Sequence, residues 1–363
     1  MATASPTSPS PTSASMVITD PGRDEAVKPH PLSRWATNMV RDERDLPFIQ
    51  LLTEIVLLQV PLAITLFVWN LSAGSLPWWM GLAYLLVNAL VFIDRYTLML
   101  HNTSHRRLFK KEHDWMNGLV PWFYNPFFGQ TAGAYFAHHI GMHHPENNLP
   151  DDLSSTMKYQ RDRFTHFLHY WGTFMTIGVV QLTGYLRAKR RSKMLRNFLV
   201  GEIGFYAVVA ALLFVAPAAT LWVFVAPFLL IRFLMMAGNW GQHAFVAAEA
   251  PACPYRNSIT CINSRYNKRA YNDGYHIGHH VKANRHWSEM PEDFVNQRDE
   301  YIDKKAVIFE GIDFFMVWAF LMLKRYDWLA DRFVDLRPEG EKLSREEIIA
   351  LMKSRLTPIP RAD

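Results

Sequence analysis

Four stretches of this chain are too long and too apolar for an ordinary water-soluble fold. They run from about Phe48 to Trp69, Trp78 to Leu100, Phe198 to Ala216 and Ala219 to Ala237. A helix of about 20 residues, rising roughly 1.5 Å per residue, spans the roughly 30 Å hydrocarbon core of a bilayer. The soluble alternative is a set of buried core helices, but four such windows in 363 residues strain any water-soluble core. The sequence therefore predicts an all-α integral membrane fold with four transmembrane helices in two hairpins.

Charge placement gives those hairpins an orientation. The links Asn70 to Pro77 and Pro217 carry no charge, whereas Arg187-Ala188-Lys189-Arg190-Arg191-Ser192-Lys193 is basic and the mixed-charge segment before Phe48 carries Arg23, Lys28, Arg34, Arg41 and Arg44. The positive-inside rule puts the uncharged links outside and both termini in the cytosol, in the endoplasmic reticulum, another internal membrane or a bacterial inner membrane. A net charge of +5 and a pI near 9.1 suit nucleic acid or anionic lipid equally. Because the basic run lies between apolar hairpins, the expected partner is the lipid bilayer and not nucleic acid. Cys253 and Cys261 are the sole cysteines, too few for a disulfide scaffold or, unaided, a structural zinc site.

Outside the windows, residues 1–30 begin Ser/Thr/Pro-rich and almost uncharged and read as a disordered tail. Residues 45–295 form the expected membrane domain and 296–363 a cytosolic helical region. Within the latter, Ile308 to Leu323 reads as an amphipathic or buried helix and Ser344 to Arg355 as a short surface helix.

Ten of the chain's 15 histidines fall in four short windows: His101 and His105; His138, His139, His143 and His144; His243; and His276, His279 and His280. Neutral imidazole is a common metal ligand, and clusters this dense are hard to explain as packing. His101 and His105 lie four residues apart, on one helical face, as do His139 and His143, and Asn239 and His243. His276 and His279 are three apart. His144 follows His143 and points about 100° away. One metal takes three or four such ligands, so nine or ten suit two metals, with Asn239 as a possible oxygen ligand. Imidazole suits zinc, copper, iron and nickel alike. For one site to collect every cluster, the chain between His144 and His276 must cross the membrane an even number of times. Phe164 to Leu186 is accordingly read as a helix lying in the interface, as is the aromatic, Pro-broken stretch Trp115 to Phe136.

The set HNTSH at 101–105, HHIGMHH at 138–144 and HIGHH at 276–280 resembles the histidine boxes of the membrane-bound fatty-acid desaturase and hydroxylase superfamily. The N-x-x-x-H element at Asn239 to His243 is similar to that of acyl-CoA desaturases, and G-Y-H-x-x-H-H from Gly274 to that of lipid desaturases. The likeness covers about Phe48 to Pro291. One departure is notable: the usual second box is H-x-x-H-H, whereas here it reads H-x-x-x-H-H from His139. Either His138 or His139 then takes the ligand role; four-residue spacing to His143 favours His139, with His138 as an additional or supporting residue.

The resemblance implies a cytosolic cap carrying a non-haem centre of two iron ions. Its ligands would be His101, His105, His139, His143, His144, Asn239, His243, His276, His279 and His280. It implies a dioxygen-dependent desaturase acting on a fatty-acyl or lipid chain, or alternatively a hydroxylase or ketolase of an alkyl chain or carotenoid. No H-P-G-G haem motif is present, so electrons are expected from a separate donor, cytochrome b5-type or ferredoxin. Asp94, seven residues before His101, is expected to support a ligand, to cap its helix or to pair with Arg95. Arg232 is expected to snorkel to headgroups or to hold an anionic substrate group.

Overall fold

A computed structural model describes residues 16–26 and 30–361. Long helices dominate it, and four of them are long and apolar enough to cross a membrane. The first, α1, is Glu43–Ala73. It starts where the Asp42 side chain accepts the Arg44 backbone N–H and stops at Gly74, whose φ of +68° turns the chain out of the helix. The second, α2, is Trp78–His105. A broken aromatic stretch follows, and then α3, in which Ala134–His138, His139–His143 and His144–Glu146 run on from one another. Next come α4, Phe164–Ala188, and the remaining spans α5, Ser192–Val215, and α6, Pro217–Gln242.

The Trp115 to Phe136 stretch is divided between the short turns Met116–Leu119, Val120–Tyr124 and Asn125–Phe128, and no helix in it is long enough to span. The helix α4 is long enough, but its packing keeps it at one end of the bundle. Phe167, near its start, meets Phe233 and Trp240 of α6 at ring separations of 5.5 and 5.6 Å. Leu182 and Leu186, near its finish, pack with Met194 and Phe198, just inside α5. Because α6 finishes and α5 starts at the same end, α4 begins and finishes there too. Its other face leaves Leu168, Ile177 and Val180 exposed, as a helix against lipid would.

Beyond α6 a cap covers that end. It contains strand β1, Ile259–Ile262; a short helix α7, His276–Val281; strand β2, Val307–Glu310; helix α8, Phe314–Met322; and helix α9, Arg345–Ser354. β1 and β2 pair in parallel, Ile259 opposite Val307. The stretch read as one helix from Ile308 is therefore strand first and helix second. Glu310 closes the strand, Gly311 turns at φ +73°, and Asp313 caps α8 by accepting the Met316 N–H. At nine residues α8 is far too short to span. Because β1 precedes residue 295 and β2 follows it, the two regions separated there in the sequence share one sheet.

Two glycines set how closely cap and spans approach. Any Cβ on Gly241 would collide with the Phe314 backbone, and one on Gly201 with the Ala132 carbonyl, so α8 rests directly on α6 and the 131–133 turn on α5. Arg161 then locks the cap's far end. It is fully buried and donates to carbonyls of Ala244, Thr156, Met157, Tyr159, Arg355 and Thr357. At the other terminus Met16 and Ile18 pack against the cap. Asp20 is buried, accepting from Tyr275 and Asn267 side chains at 2.7 and 3.0 Å. The expectation of a disordered tail over residues 1–15 lies outside the described residues.

Candidate metal centre

Nine histidines from four places in the chain converge where the cap meets the spans, and they divide into two groups. His101, His105, His139, His144 and His279 form one; His143, His243, His276 and His280 form the other. Within each, one nitrogen per ring lies within 4.8 Å of every other. In the first group Nε2 of His101 is 2.9 Å from that of His279, and His105 is 2.9 Å from His139. In the second, His276 is 3.2 Å from His243 and 3.0 Å from His280.

The adjacent pairs explain the division. Successive residues of a helix point about 100° apart, so His143 and His144, and likewise His279 and His280, face different groups. In α7, His276 shares a group with His280, four residues on, while His279 goes to the other; the three-residue spacing read from sequence pairs the wrong two. In α3 the backbone decides. His139–His143 is a π turn, closed by the His144 N–H bonding to the His139 carbonyl. A π turn brings residues five apart onto one face, so His139 joins His144 and not His143. The residue by which this box exceeds the usual H-x-x-H-H is absorbed as that bulge.

His138 consequently lies outside both groups. Its ring is 6.4 Å from that of His143 and 5.9 Å from Phe174, and its Nε2 is buried without a partner. The Asn239 side chain hydrogen-bonds no histidine: its amide donates to the Tyr170 hydroxyl at 2.7 Å and to the Ser154 carbonyl at 3.1 Å, which leaves its Oδ1 as the one side-chain atom it can offer. Asp94 does not support a ligand either. It is ion-paired to Arg269, while Arg95 pairs with Glu54 at 2.7 Å. Seven residues are two helical turns, roughly 10 Å, too far for a carboxylate to reach the ring it faces.

Other residues, not singled out from sequence, hold the rings. His101 Nδ1 is 3.1 Å from Asp273 Oδ1, His143 Nδ1 is 2.7 Å from Asp152 Oδ2, and His243 Nδ1 is 2.9 Å from the Asn257 carbonyl. These partners are acceptors, so Nδ1 carries the proton and Nε2 presents a bare lone pair. Asp152 is wholly committed: Oδ2 also accepts from the Asn148 N–H, and Oδ1 from the Ser154 N–H and hydroxyl. The only sequence signal for it is a polar N-N-L-P-D-D run just after the second box.

The donor set fits metal ions. Burial, reinforced by neighbouring histidines, pushes the His144 imidazole down to about 2 and His243 to about 4, and holds His139, His276, His279 and His280 well below their ordinary range. These six rings are thus neutral. Lone pairs facing one another at about 3 Å repel unless a cation lies between them, and His101 Nε2 is already committed to that arrangement by Asp273. Either group alone supplies enough ligands for one metal.

A cavity of about 400 Å³ runs past this centre between α2, α4, α5, α6 and α8. His101, His139, His143 and His276 border it, and most of the remaining wall is apolar, including Leu98, Leu153, Phe174, Val179, Leu182 and Leu234.

A family model described as fatty acid desaturase matches residues 76–311. No curated protein and no solved structure matches the chain.

Proposed function

Because the chain belongs to the fatty acid desaturase family, whose members are oxygen-dependent oxidoreductases, we propose that it introduces a double bond into a fatty-acyl or lipid chain at a centre of two iron ions. One observation carries this reading: two groups of largely buried histidines border a mostly apolar cavity formed among membrane-spanning helices. Iron bound there would supply the activation of dioxygen needed to remove hydrogen from an unactivated C–H bond.

The chain's own part is positioning and exclusion. The apolar walls hold the hydrocarbon extended and keep water from the reacting carbon, while Asp152, Asp273 and the Asn257 carbonyl fix three rings in the orientation the metals require. The basic turn Arg187 to Lys193 joins α4 to α5 at the end of the bundle that carries the histidines. By the positive-inside rule that end is cytosolic, where a separate donor, cytochrome b5-type or ferredoxin, would deliver electrons.

Expression in a host that lacks the activity, followed by mass analysis of its lipids, tests the reaction. The expected product is lighter than its precursor by two hydrogens. A product heavier by one oxygen identifies a hydroxylase of the same superfamily. Unchanged lipids with full iron loading and an active donor would refute an alkyl-oxidising role.

A further inference from the structure

The cavity beside the histidines does not end in hydrocarbon. Where Phe174, Val179, Leu182 and Phe198 bound it, it meets Glu202 of α5 and Arg232 of α6, only 2% and 6% exposed. Both lie within spanning helices, where a charged side chain is costly unless paired. They are paired: Arg232 Nη2 is 3.3 Å from Glu202 Oε1, which also accepts from the Thr131 hydroxyl at 2.7 Å. The guanidinium lies 4.0 Å from the Phe228 ring centre. Arg232 therefore neither snorkels to headgroups nor stands free to hold an anion.

What the pair leaves over sets it apart from a plain bridge between helices. Glu202 Oε2 and Arg232 Nε are buried with no hydrogen-bond partner. Tyr206, one turn beyond Glu202, approaches it but makes no hydrogen bond to that oxygen. A free acceptor and a free donor, on charges that cancel, complement a neutral group that both accepts and donates. A hydroxyl does so. An ester carbonyl would satisfy the arginine alone, a free carboxylate would meet the charge of Glu202, and a bare alkyl terminus would leave both atoms unpaired.

We propose that the Glu202–Arg232 pair is a binding site for a hydroxyl group carried by the alkyl substrate, holding its hydrocarbon past the histidines. This rests on reading the histidine centre as acting on an alkyl chain, and it names that chain's polar group. Arg232 precedes His243 by about three turns, roughly 16 Å along α6, so the hydroxyl is remote from the carbon that reacts.

The test is equilibrium binding of radiolabelled hexadecanol to the full-length protein in phosphatidylcholine nanodiscs, with hexadecane and palmitate as competitors. Hexadecanol is expected to bind about tenfold more tightly than hexadecane, the difference made by pairing two buried polar atoms, with palmitate no tighter than hexadecane. The double replacement Glu202→Leu with Arg232→Met should abolish the alcohol preference, since removing both partners of a buried pair is far better tolerated than removing one. Should that variant fail to fold, Glu202→Gln leaves a net positive corner and should move the preference to palmitate. Equal affinities in the unaltered protein, palmitate as its tightest ligand, or variants that keep the alcohol preference would overturn the proposal. Binding requires no turnover. Loss of the preference with lipid oxidation intact refutes the hydroxyl site alone, and the converse refutes the oxidation reading alone.

Discussion

Alanine in place of His143 or His279 is expected to lower product formation by a factor on the order of 100 or more, since losing even the partner behind a ligand typically costs about 10–100-fold. The two residues belong to different groups, so each substitution strips one metal position and leaves the other complete. Neither side chain is part of a spanning helix, so membrane insertion and yield should be unchanged. Product formed at the unaltered rate by both variants would remove the centre from the chemistry. The comparison is made by quantifying lipid product per unit of inserted protein.

The second large effect is expected from Asp152→Asn, a change that scarcely alters shape. Both Asp152 oxygens accept from donors: His143 Nδ1 and the Asn148 N–H on one, the Ser154 N–H and hydroxyl on the other. An amide NH2 placed on either side would point its hydrogens at donors. Burial by itself would raise the Asp152 carboxyl, but His143 and the Ser154 donors outweigh it and hold the group ionised, well below the ordinary carboxylate range. The amide should therefore weaken iron retention or activity by about 10–100-fold. Iron retained during dialysis against a chelator measures the first, and a lowered kcat with KM nearly unchanged marks a positioning role. A fall in thermal stability with iron affinity intact would instead make Asp152 purely structural.

The spans were legible because continuous apolarity is a property of single windows and needs no partner to interpret it. The evenness of the crossings between His144 and His276 was legible too, as a consequence of requiring one site; the packing of both ends of α4 at one end of the bundle agrees with it. The division of the histidines was not. Helical spacing pairs His139 with His143, but a π turn, which sequence spacing does not announce, pairs His139 with His144. Asp273 and Asp152 escaped for a different reason. Asp273 reaches His101 across 172 positions of sequence, and Asp152 stands in a loop whose shape only the fold supplies. Asp94 misled because a shared helical face says nothing about distance along the axis. The short strands Ile259–Ile262 and Val307–Glu310 are apolar runs of four, a length at which strand and buried helix look alike.

We propose that this chain holds two iron ions, one in each histidine group. Iron counted per chain in protein purified without oxygen tests it most directly, alongside His105→Ala and His280→Ala, one substitution in each group. Two irons are expected in the unaltered protein and about one in each variant. Stoichiometric zinc without iron, or a single iron that one variant loses entirely and the other keeps entirely, would contradict it.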